Sequence, residues 1–479
     1  MKKLKLVMIG NGMAGVRTLE ELIKLSPELY DITVFGAEPH PNYNRILLSP
    51  VLAGEQTFDE IVLNDLSWYA DNNIKLLLGR KVTQINRKQR LVTADDGSTA
   101  EYDRLLIATG STPFILPIPG NKLEGVIGYR DIADTQVMMD TAKTHSHAVV
   151  IGGGLLGLEA ANGLKLRGMD VTVVHIGETL LERQLDSTAG KLLRKSLEDR
   201  GLKFMLSKQT SELLDNGDGR VCAVKFSDGD VIAADLVVMA AGIRPNSQLA
   251  EASGIACNRG ILVNDTLQSF DPRVYAIGEC ANHRGTAYGL VAPLFEQAKV
   301  CANHLAQLGY SRYQGSVIST KLKVTGIDLF SAGEFIGAEG TESITLSDPI
   351  GGVYKKLVIR NDVLVGACLY GDTADGGWYF QQIREQQNVS QTRDHLMFGE
   401  NAIGNVGHQG QDKPANMPES ADICGTQVAC PLPDWQVELG PASAIAPDQA
   451  YIYSHSTKIE ADRVLLALNH AVPNEAPVQ

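Results

Sequence analysis

Two stretches of the chain share one hydrophobic rhythm. In the first, the apolar run Leu4-Lys-Leu-Val-Met-Ile9 enters a glycine turn. Apolar positions then recur at helical spacing to about Leu25, and a second apolar run, Asp31-Ile-Thr-Val-Phe35, closes the unit. In the second, His147-Ala-Val-Val-Ile151 leads through a glycine turn and a helical stretch ending near Arg167 to Asp170-Val-Thr-Val-Val174. Apolar strand, helix and second apolar strand make the pattern of a βαβ unit in a parallel sheet. Shorter β-rich passages separate the two units. Residues 75–103 alternate about Asp95-Asp-Gly97, and residues 203–238 repeat that plan about Ser227-Asp-Gly-Asp230. An Asp-Gly pair between alternating runs predicts a hairpin.

After about Thr320 the pattern changes to strands: Lys321-Leu-Lys-Val324, Tyr354-Lys-Lys-Leu-Val-Ile359 and Val363-Leu-Val-Gly-Ala-Cys-Leu369, with a helix near Gly377–Gln387. A third, smaller domain is expected there. From about Gly404 the periodicity fades, and eight of the 19 prolines fall in residues 411–479. That texture predicts a linker and a loosely packed tail, with one helix at Ile459–His470.

A length of 479 residues suits two to four domains, and 47 glycines suit an α/β protein with many tight strand-to-helix turns. The net charge of −13 argues against a nucleic-acid partner. The N-terminal Met1-Lys-Lys-Leu-Lys resembles the start of a signal peptide, but the apolar run Leu6-Val-Met-Ile9 stops at a glycine turn. No run approaches the roughly eighteen apolar residues of a membrane span. The seven cysteines (222, 257, 280, 301, 368, 424 and 430) are scattered and odd in number, unlike a secreted disulfide framework. A cytoplasmic protein with no membrane partner is expected.

The glycine turns carry the chemistry. Gly10-Asn-Gly-Met-Ala-Gly15 matches G-x-G-x-x-G between strand and helix. The first glycine permits the turn, the second (Gly12) lets a pyrophosphate approach the backbone, and the third lets helix and strand pack. Glu38 lies just past the second strand, where a carboxylate would bind a ribose hydroxyl. Gly152-Gly-Gly-Leu-Leu-Gly157 is a second match, with Gly152, Gly154 and Gly157 in the three places, Leu155 opening the helix and Glu159 early in it. His175 stands where an acid would favour NADH and a base would favour NADPH, so the choice stays open; a solvent-facing histidine at a strand end is the alternative reading. Two such folds bind two different dinucleotides. No Ser/His/Asp or Cys/His nucleophile set accompanies them, as expected when the cofactors hold the chemistry.

Four further segments occur in order. Asp103-Arg-Leu-Leu-Ile-Ala-Thr-Gly-Ser-Thr-Pro113, with Ala108, Thr109 and Gly110, resembles the strand-and-turn of two-dinucleotide-domain flavoprotein reductases. Ala240-Ala-Gly-Ile-Arg-Pro-Asn246, with Gly242, resembles their second crossover. Val274-Tyr-Ala-Ile-Gly-Glu-Cys-Ala281 is similar to their late FAD segment; the resemblance gives Gly278 a place at the flavin and Glu279 its ribityl chain. Ala292-Pro-Leu-Phe-Glu-Gln297 opens a helix whose amides would face the flavin ring. Pro41-Asn-Tyr-Asn-Arg-Ile-Leu-Leu-Ser49, Glu182-Arg-Gln-Leu-Asp186 and Gly371-Asp-Thr-Ala-Asp375 narrow the likeness further. From residue 1 to about Gly425 the chain resembles the N-terminal FAD and NAD(P)H half of the large subunit of bacterial assimilatory NAD(P)H nitrite reductases.

The resemblance implies an α/β fold: two Rossmann-like dinucleotide-binding domains, a small α+β C-terminal domain and an irregular tail. Residues 1–112 and 241–319 would bind FAD, with Ala14 and Arg45 also on the flavin side. Residues 113–240 would bind NAD(P)H, 320–400 would form an interface domain, and 401–479 a linker and a degenerate 2Fe-2S-like tail. It implies hydride transfer from NAD(P)H to FAD, then electron delivery to an iron–sulfur or sirohaem centre, as in reduction of nitrite to ammonia in nitrate assimilation. A homodimer is compatible with it. The family's 2Fe-2S segment opens with C-x-C, and here Cys424 is followed by Thr426, leaving only Cys430. Two cysteines cannot supply four thiolates, so Cys424 is a remnant ligand at most. Neither a 2Fe-2S cluster nor sirohaem is expected in a chain that reads as shortened within this segment. The alternatives are an electron-transfer subunit of an assimilatory nitrate reductase, a rubredoxin-type reductase, and a flavin-binding remnant without turnover.

Overall fold

The computed structural model describes residues 3–324 and 326–404, with five short strands between 423 and 467. The chain divides into two compact units, residues 1–403 and 404–479.

Within the first unit the two predicted βαβ repeats each nucleate a five-stranded parallel sheet. One has the strand order Val274–Ala276, Arg104–Ile107, Leu4–Ile9, Tyr30–Phe35, Lys75–Leu77. The other runs Val126–Ile127, Leu236–Met239, His147–Ile151, Asp170–Val174, Lys203–Met205. Each sheet is covered on both faces, so its central strands are continuous apolar runs. Helix Met13–Leu25 buries Val16, Leu19 and Leu22 against the first sheet. Helix Leu155–Leu166 buries Leu158, Ala161 and Leu164 against the second. Both predicted hairpins form, Leu91–Ala94 with Thr99–Glu101 and Val221–Phe226 with Val231–Ala233. A two-stranded antiparallel ribbon, Ser111–Pro113 with Ile243–Pro245, ties the crossover segments together.

The third five-stranded sheet is antiparallel, in the order Ser319–Val324, Ile327–Gly333, Val363–Tyr370, Val353–Arg360, Glu342–Asp348. Side chains alternate across it. Phe330, Leu357, Ala367 and Leu369 pack on helix Gly376–Glu385 through Tyr379 and Ile383. Leu329, Tyr354, Cys368 and Tyr370 join the core of the second parallel sheet, beside Leu193 and Leu197. Hydrogen bonds cross that junction: Tyr354 OH donates to Asp186 Oδ2 (2.6 Å), and Tyr370 OH meets Ser196 Oγ (2.7 Å) and the Leu192 carbonyl (3.4 Å).

The second unit contains a three-stranded antiparallel sheet, Ile423–Cys424, Gln427–Ala429 and Gln436–Glu438, and a hairpin pairing Ser456–Glu460 with Arg463–Ala467. Of the helix expected at 459–470, the described residues 459–460 and 463–467 lie instead in two antiparallel strands. An apolar run as short as Val464-Leu-Leu-Ala467 fits either period, and the preceding Ser456-Thr-Lys-Ile-Glu460 supplies it with a strand to pair with. Among the described residues no helix is long and apolar enough to cross a membrane.

Candidate functional site

Both glycine turns open on one cleft of about 1540 Å³. They allot their glycines the same three tasks. Gly10 has φ +105°, and a Cβ there would lie 2.2 Å from the Ala108 carbonyl oxygen; Gly152 has φ +130°, and a Cβ there would lie 2.3 Å from that of Ala240. Gly15 and Gly157 are packed beneath: a Cβ added there would lie 2.9 Å from Met8 Sδ and 2.0 Å from Gly152 O respectively. At Gly12 and Gly154 an added Cβ would meet nothing within 4 Å, and both line the cleft. Each precedes a helix that has no side-chain cap. The first-turn N–H groups are thus left for another acceptor, which suits a phosphate.

On the side of the first turn the cleft is lined by Ala14, Ala108, Thr109, Gly110, Gly278 and Glu279, with Glu38 and Arg45 beyond. Arg45 pairs with Glu38, stacks over Tyr43 (5.0 Å to the ring centre) and donates to the Arg130 carbonyl at 3.0 Å. Tyr43 OH donates to the other Glu38 oxygen at 2.7 Å, and burial pushes this phenol far above its usual range. Glu279 accepts from Ser111 Oγ (2.8 Å) and pairs with Arg130. The Arg130 backbone N–H is held by Asp134 (2.7 Å), whose carboxyl is pushed up to about 6, first by burial and then by the neighbouring Asp131. Ser111, Arg130 and Asp134 were not anticipated. The one local signal was Asp131, which caps helix Ile132–Thr141 through the Asp134 N–H. Helix Val291–Leu305 begins as expected, and Leu290, Val291, Leu294 and Phe295 line the cleft.

On the side of the second turn the lining includes Leu155, Glu159, His175 and Gly242. Glu159 accepts from Ser49 Oγ at 2.7 Å, and the Tyr129 hydroxyl reaches Ser49 at 3.2 Å. Burial raises the Glu159 carboxyl above the usual range, and the Ser49 bond offsets part of that. His175 is not solvent-facing. Its ring is buried, its Nδ1 accepts from Gly153 N–H (3.1 Å), and its Nε2 lies 3.0 Å from Glu182. The loops that carry Thr109 and Asn246 are clamped reciprocally, Thr109 Oγ1 to Asn246 O at 2.8 Å and Asn246 Nδ2 to Thr109 O at 2.9 Å.

Cys280 and Cys301 are core residues, as their apolar surroundings predict, and no cluster of three or more metal-binding side chains occurs among the described residues. The Cys424 side chain and all of Cys430 lie outside the described residues.

Residues 4–304 match the pyridine nucleotide-disulphide oxidoreductase family, and residues 319–387 match the rubredoxin NAD+ reductase C-terminal domain. The chain is 52% identical over 392 residues to the NAD(P)H nitrite reductase of Bacillus subtilis (strain 168), covering 82% of this chain and 48% of that protein. It is 48% identical over 397 residues to the assimilatory nitrate reductase electron transfer subunit of the same organism, covering 83% and 51% respectively. It thus spans about half the length of these curated relatives. Among solved structures, the covalent putidaredoxin reductase–putidaredoxin complex superimposes with a TM-score of 0.76 at 26% identity, covering 85% of this chain and all of the other.

Proposed function

Because the chain belongs to the pyridine nucleotide-disulphide oxidoreductase family, we propose that its FAD lies across Gly10–Gly15 and its NAD(P)H across Gly152–Gly157. The observation that carries this placement is the duplicated turn geometry on one shared cleft. A volume of about 1540 Å³ exceeds the roughly 300–1,000 Å³ of a pocket for one small ligand. Bound FAD supplies the exchange between two-electron and one-electron chemistry.

The chain's own residues bind and orient. Gly12 and Gly154 leave room for pyrophosphates, whose charge the helix N-termini stabilise. Ala14, Ala108, Thr109, Gly110 and Gly278 wall the flavin side, where Glu279 offers a carboxylate to ribityl hydroxyls and Glu38 and Arg45 flank the adenosine end. Leu155, Glu159, His175 and Gly242 wall the nicotinamide side. Residues 1–112 with 241–319 form the FAD domain, 113–240 the NAD(P)H domain and 320–400 the interface domain. Anaerobic titration of FAD-loaded protein with NADH tests this: the flavin band near roughly 450 nm should bleach, and an unchanged band with either nicotinamide refutes it.

The acceptor in this reading is an iron–sulfur or sirohaem centre of a nitrite-reducing assembly, supported by the likeness to the Bacillus nitrite reductase. The likeness to the assimilatory nitrate reductase electron transfer subunit favours a second reading, delivery to an assimilatory nitrate reductase. Adding each purified acceptor and following nitrite- or nitrate-dependent NADH oxidation separates them. Residence in the cytoplasm belongs to the same proposal, supported by five described cysteines that are all free thiols. Pairing into a homodimer belongs to it as well, and light scattering of the holoprotein tests that.

A further inference from the structure

We propose that Glu182, positioned by His175, receives the adenosine ribose hydroxyls of the nicotinamide dinucleotide and makes the cleft selective for NADH over NADPH. The inference rests on the reading of Gly152–Gly157 as the nicotinamide site.

In a βαβ dinucleotide fold the carboxylate that reads the ribose 2′-hydroxyl usually ends the second strand. Here strand Asp170–Val174 ends at a histidine that turns away from that task. The His175 ring is 8% exposed and wedged between two glycine backbones: a Cβ on either Gly153 or Gly177 would come within 2.8 Å of it. A backbone N–H can only donate, so the Gly153 bond makes Nδ1 the acceptor. The hydrogen-bond network therefore assigns the ring proton to Nε2, which donates it to Glu182 Oε2 at 3.0 Å. The imidazole thus spans from the glycine turn to a carboxylate supplied by the following loop. Glu182 lines the cleft with its side chain half exposed. A carboxylate accepting one imidazole N–H keeps lone pairs for a ribose diol.

The surrounding charge points the same way. Lys208 lines this end of the cleft but is engaged by both Asp228 and Asp230, and Arg183 follows Glu182 in the chain. Three carboxylates (Glu182, Asp228, Asp230) against two cations (Arg183, Lys208) leave one net negative charge. The 2′-phosphate of NADPH, at about −1.5 to −2, would meet that charge. The diol of NADH donates to it.

The test is calorimetric binding of NAD+ and NADP+ to the FAD-loaded protein and to its Glu182→Gln and His175→Phe variants, with flavin content and melting temperature recorded for each. The wild-type protein should bind NAD+ about tenfold or more tighter than NADP+. Glu182→Gln should shrink that ratio mainly by strengthening NADP+, and His175→Phe should shrink it by weakening NAD+, both with full flavin. Equal wild-type affinities, or a ratio that Glu182→Gln leaves unchanged in folded protein, overturns the proposal alone. Binding of neither dinucleotide overturns the assignment of the second glycine turn and this inference with it.

Discussion

Alanine at Gly12 and alanine at Gly154 should divide the cleft into its two sites. Both positions have ordinary backbone angles, φ −86° and ψ 176° at Gly12 and φ −81° and ψ 178° at Gly154, and a Cβ at either meets nothing within 4 Å. Replacing Gly by Ala at a compatible position gains about 0.4–1 kcal/mol from the unfolded state. Both glycines are N-caps, where Ala is the poorer residue by up to about 1 kcal/mol. The two effects nearly cancel, so the melting temperature of the cofactor-free protein should move by less than about 2 °C. The methyl group instead occupies the space through which a pyrophosphate must approach. Losing two charge-assisted backbone hydrogen bonds costs about 3 kcal/mol or more, roughly a hundredfold in affinity. Gly12→Ala should therefore yield folded protein poor in FAD, and Gly154→Ala should keep its FAD but lose NAD+ binding. Gly10→Ala is the contrasting control. Its φ of +105° costs about 1–3 kcal/mol by itself, and its Cβ would collide with Ala108 O, so stability falls before any ligand is added. Flavin per chain, NAD+ calorimetry and scanning calorimetry on the same preparations read all three. Full flavin in Gly12→Ala refutes the phosphate approach at that turn, and flavin loss confined to Gly154→Ala reverses the two assignments.

Tyr354→Phe removes the phenolic donor from Asp186, which keeps the Ala189 N–H and Lys356. A loss of about 1–2 kcal/mol is expected, seen as a lower urea midpoint with an unchanged slope; no shift would mean that this contact does not hold the antiparallel sheet. Asp134 carries a carboxyl raised to about 6 from its unfolded 3.8, so folding favours its protonated form. The penalty for ionising it is absent below pH 3.8 and complete above about 6. Asp134→Asn should therefore gain on the wild type as pH rises through that window and hold the gain above it; calorimetric scans of cofactor-free protein at pH 4 to 8 would contradict this if the gain shrank with pH. Alkylation followed by peptide mapping should label exposed Cys222 at pH 8. Cys257 should react only as pH climbs toward its raised value of about 11, set first by burial and then by Glu251, and buried Cys280, Cys301 and Cys368 only on unfolding. Labelling of native Cys301 at pH 8 would refute its burial.

What could be read from the sequence is what is fixed locally. A left-handed residue, a strand carbonyl close behind it and a helix starting two residues later constrain a few adjacent positions, so Gly10–Gly15 and Gly152–Gly157 carry their geometry in their spelling. The Asp-Gly hairpins are legible for the same reason. The polar ties that hold the cleft's residues are not, because Ser49 and Glu159 are 110 positions apart and Arg130 and Glu279 are 149 apart. The burial of His175 is not legible because it depends on Gly153 and Gly177 leaving the ring room, which no rule of strand ends encodes. Strand Glu342–Asp348 escaped notice because it lies at the sheet edge, where only Ile344 and Leu346 pack on the small core and the remaining side chains are polar. Strand Ile327–Gly333 escaped for the opposite reason. It is buried on both faces, with Leu329 in one core and Phe330 in another, so it has no alternation to detect.

The ties that the sequence hid are those that relate the two dinucleotide sites to each other. Each glycine turn is self-sufficient, and each could position a cofactor with no knowledge of the other. Their mutual placement depends on the Ser49–Glu159 hydrogen bond, on the reciprocal Thr109–Asn246 clamp and on the ribbon pairing Ser111–Pro113 with Ile243–Pro245. Transfer between two bound cofactors is governed by their separation and alignment. The chain therefore holds its binding residues in local motifs and its alignment in long-range contacts. Substitutions at the turns should act on affinity, and substitutions at the ties should act on the rate of flavin reduction with both cofactors still bound.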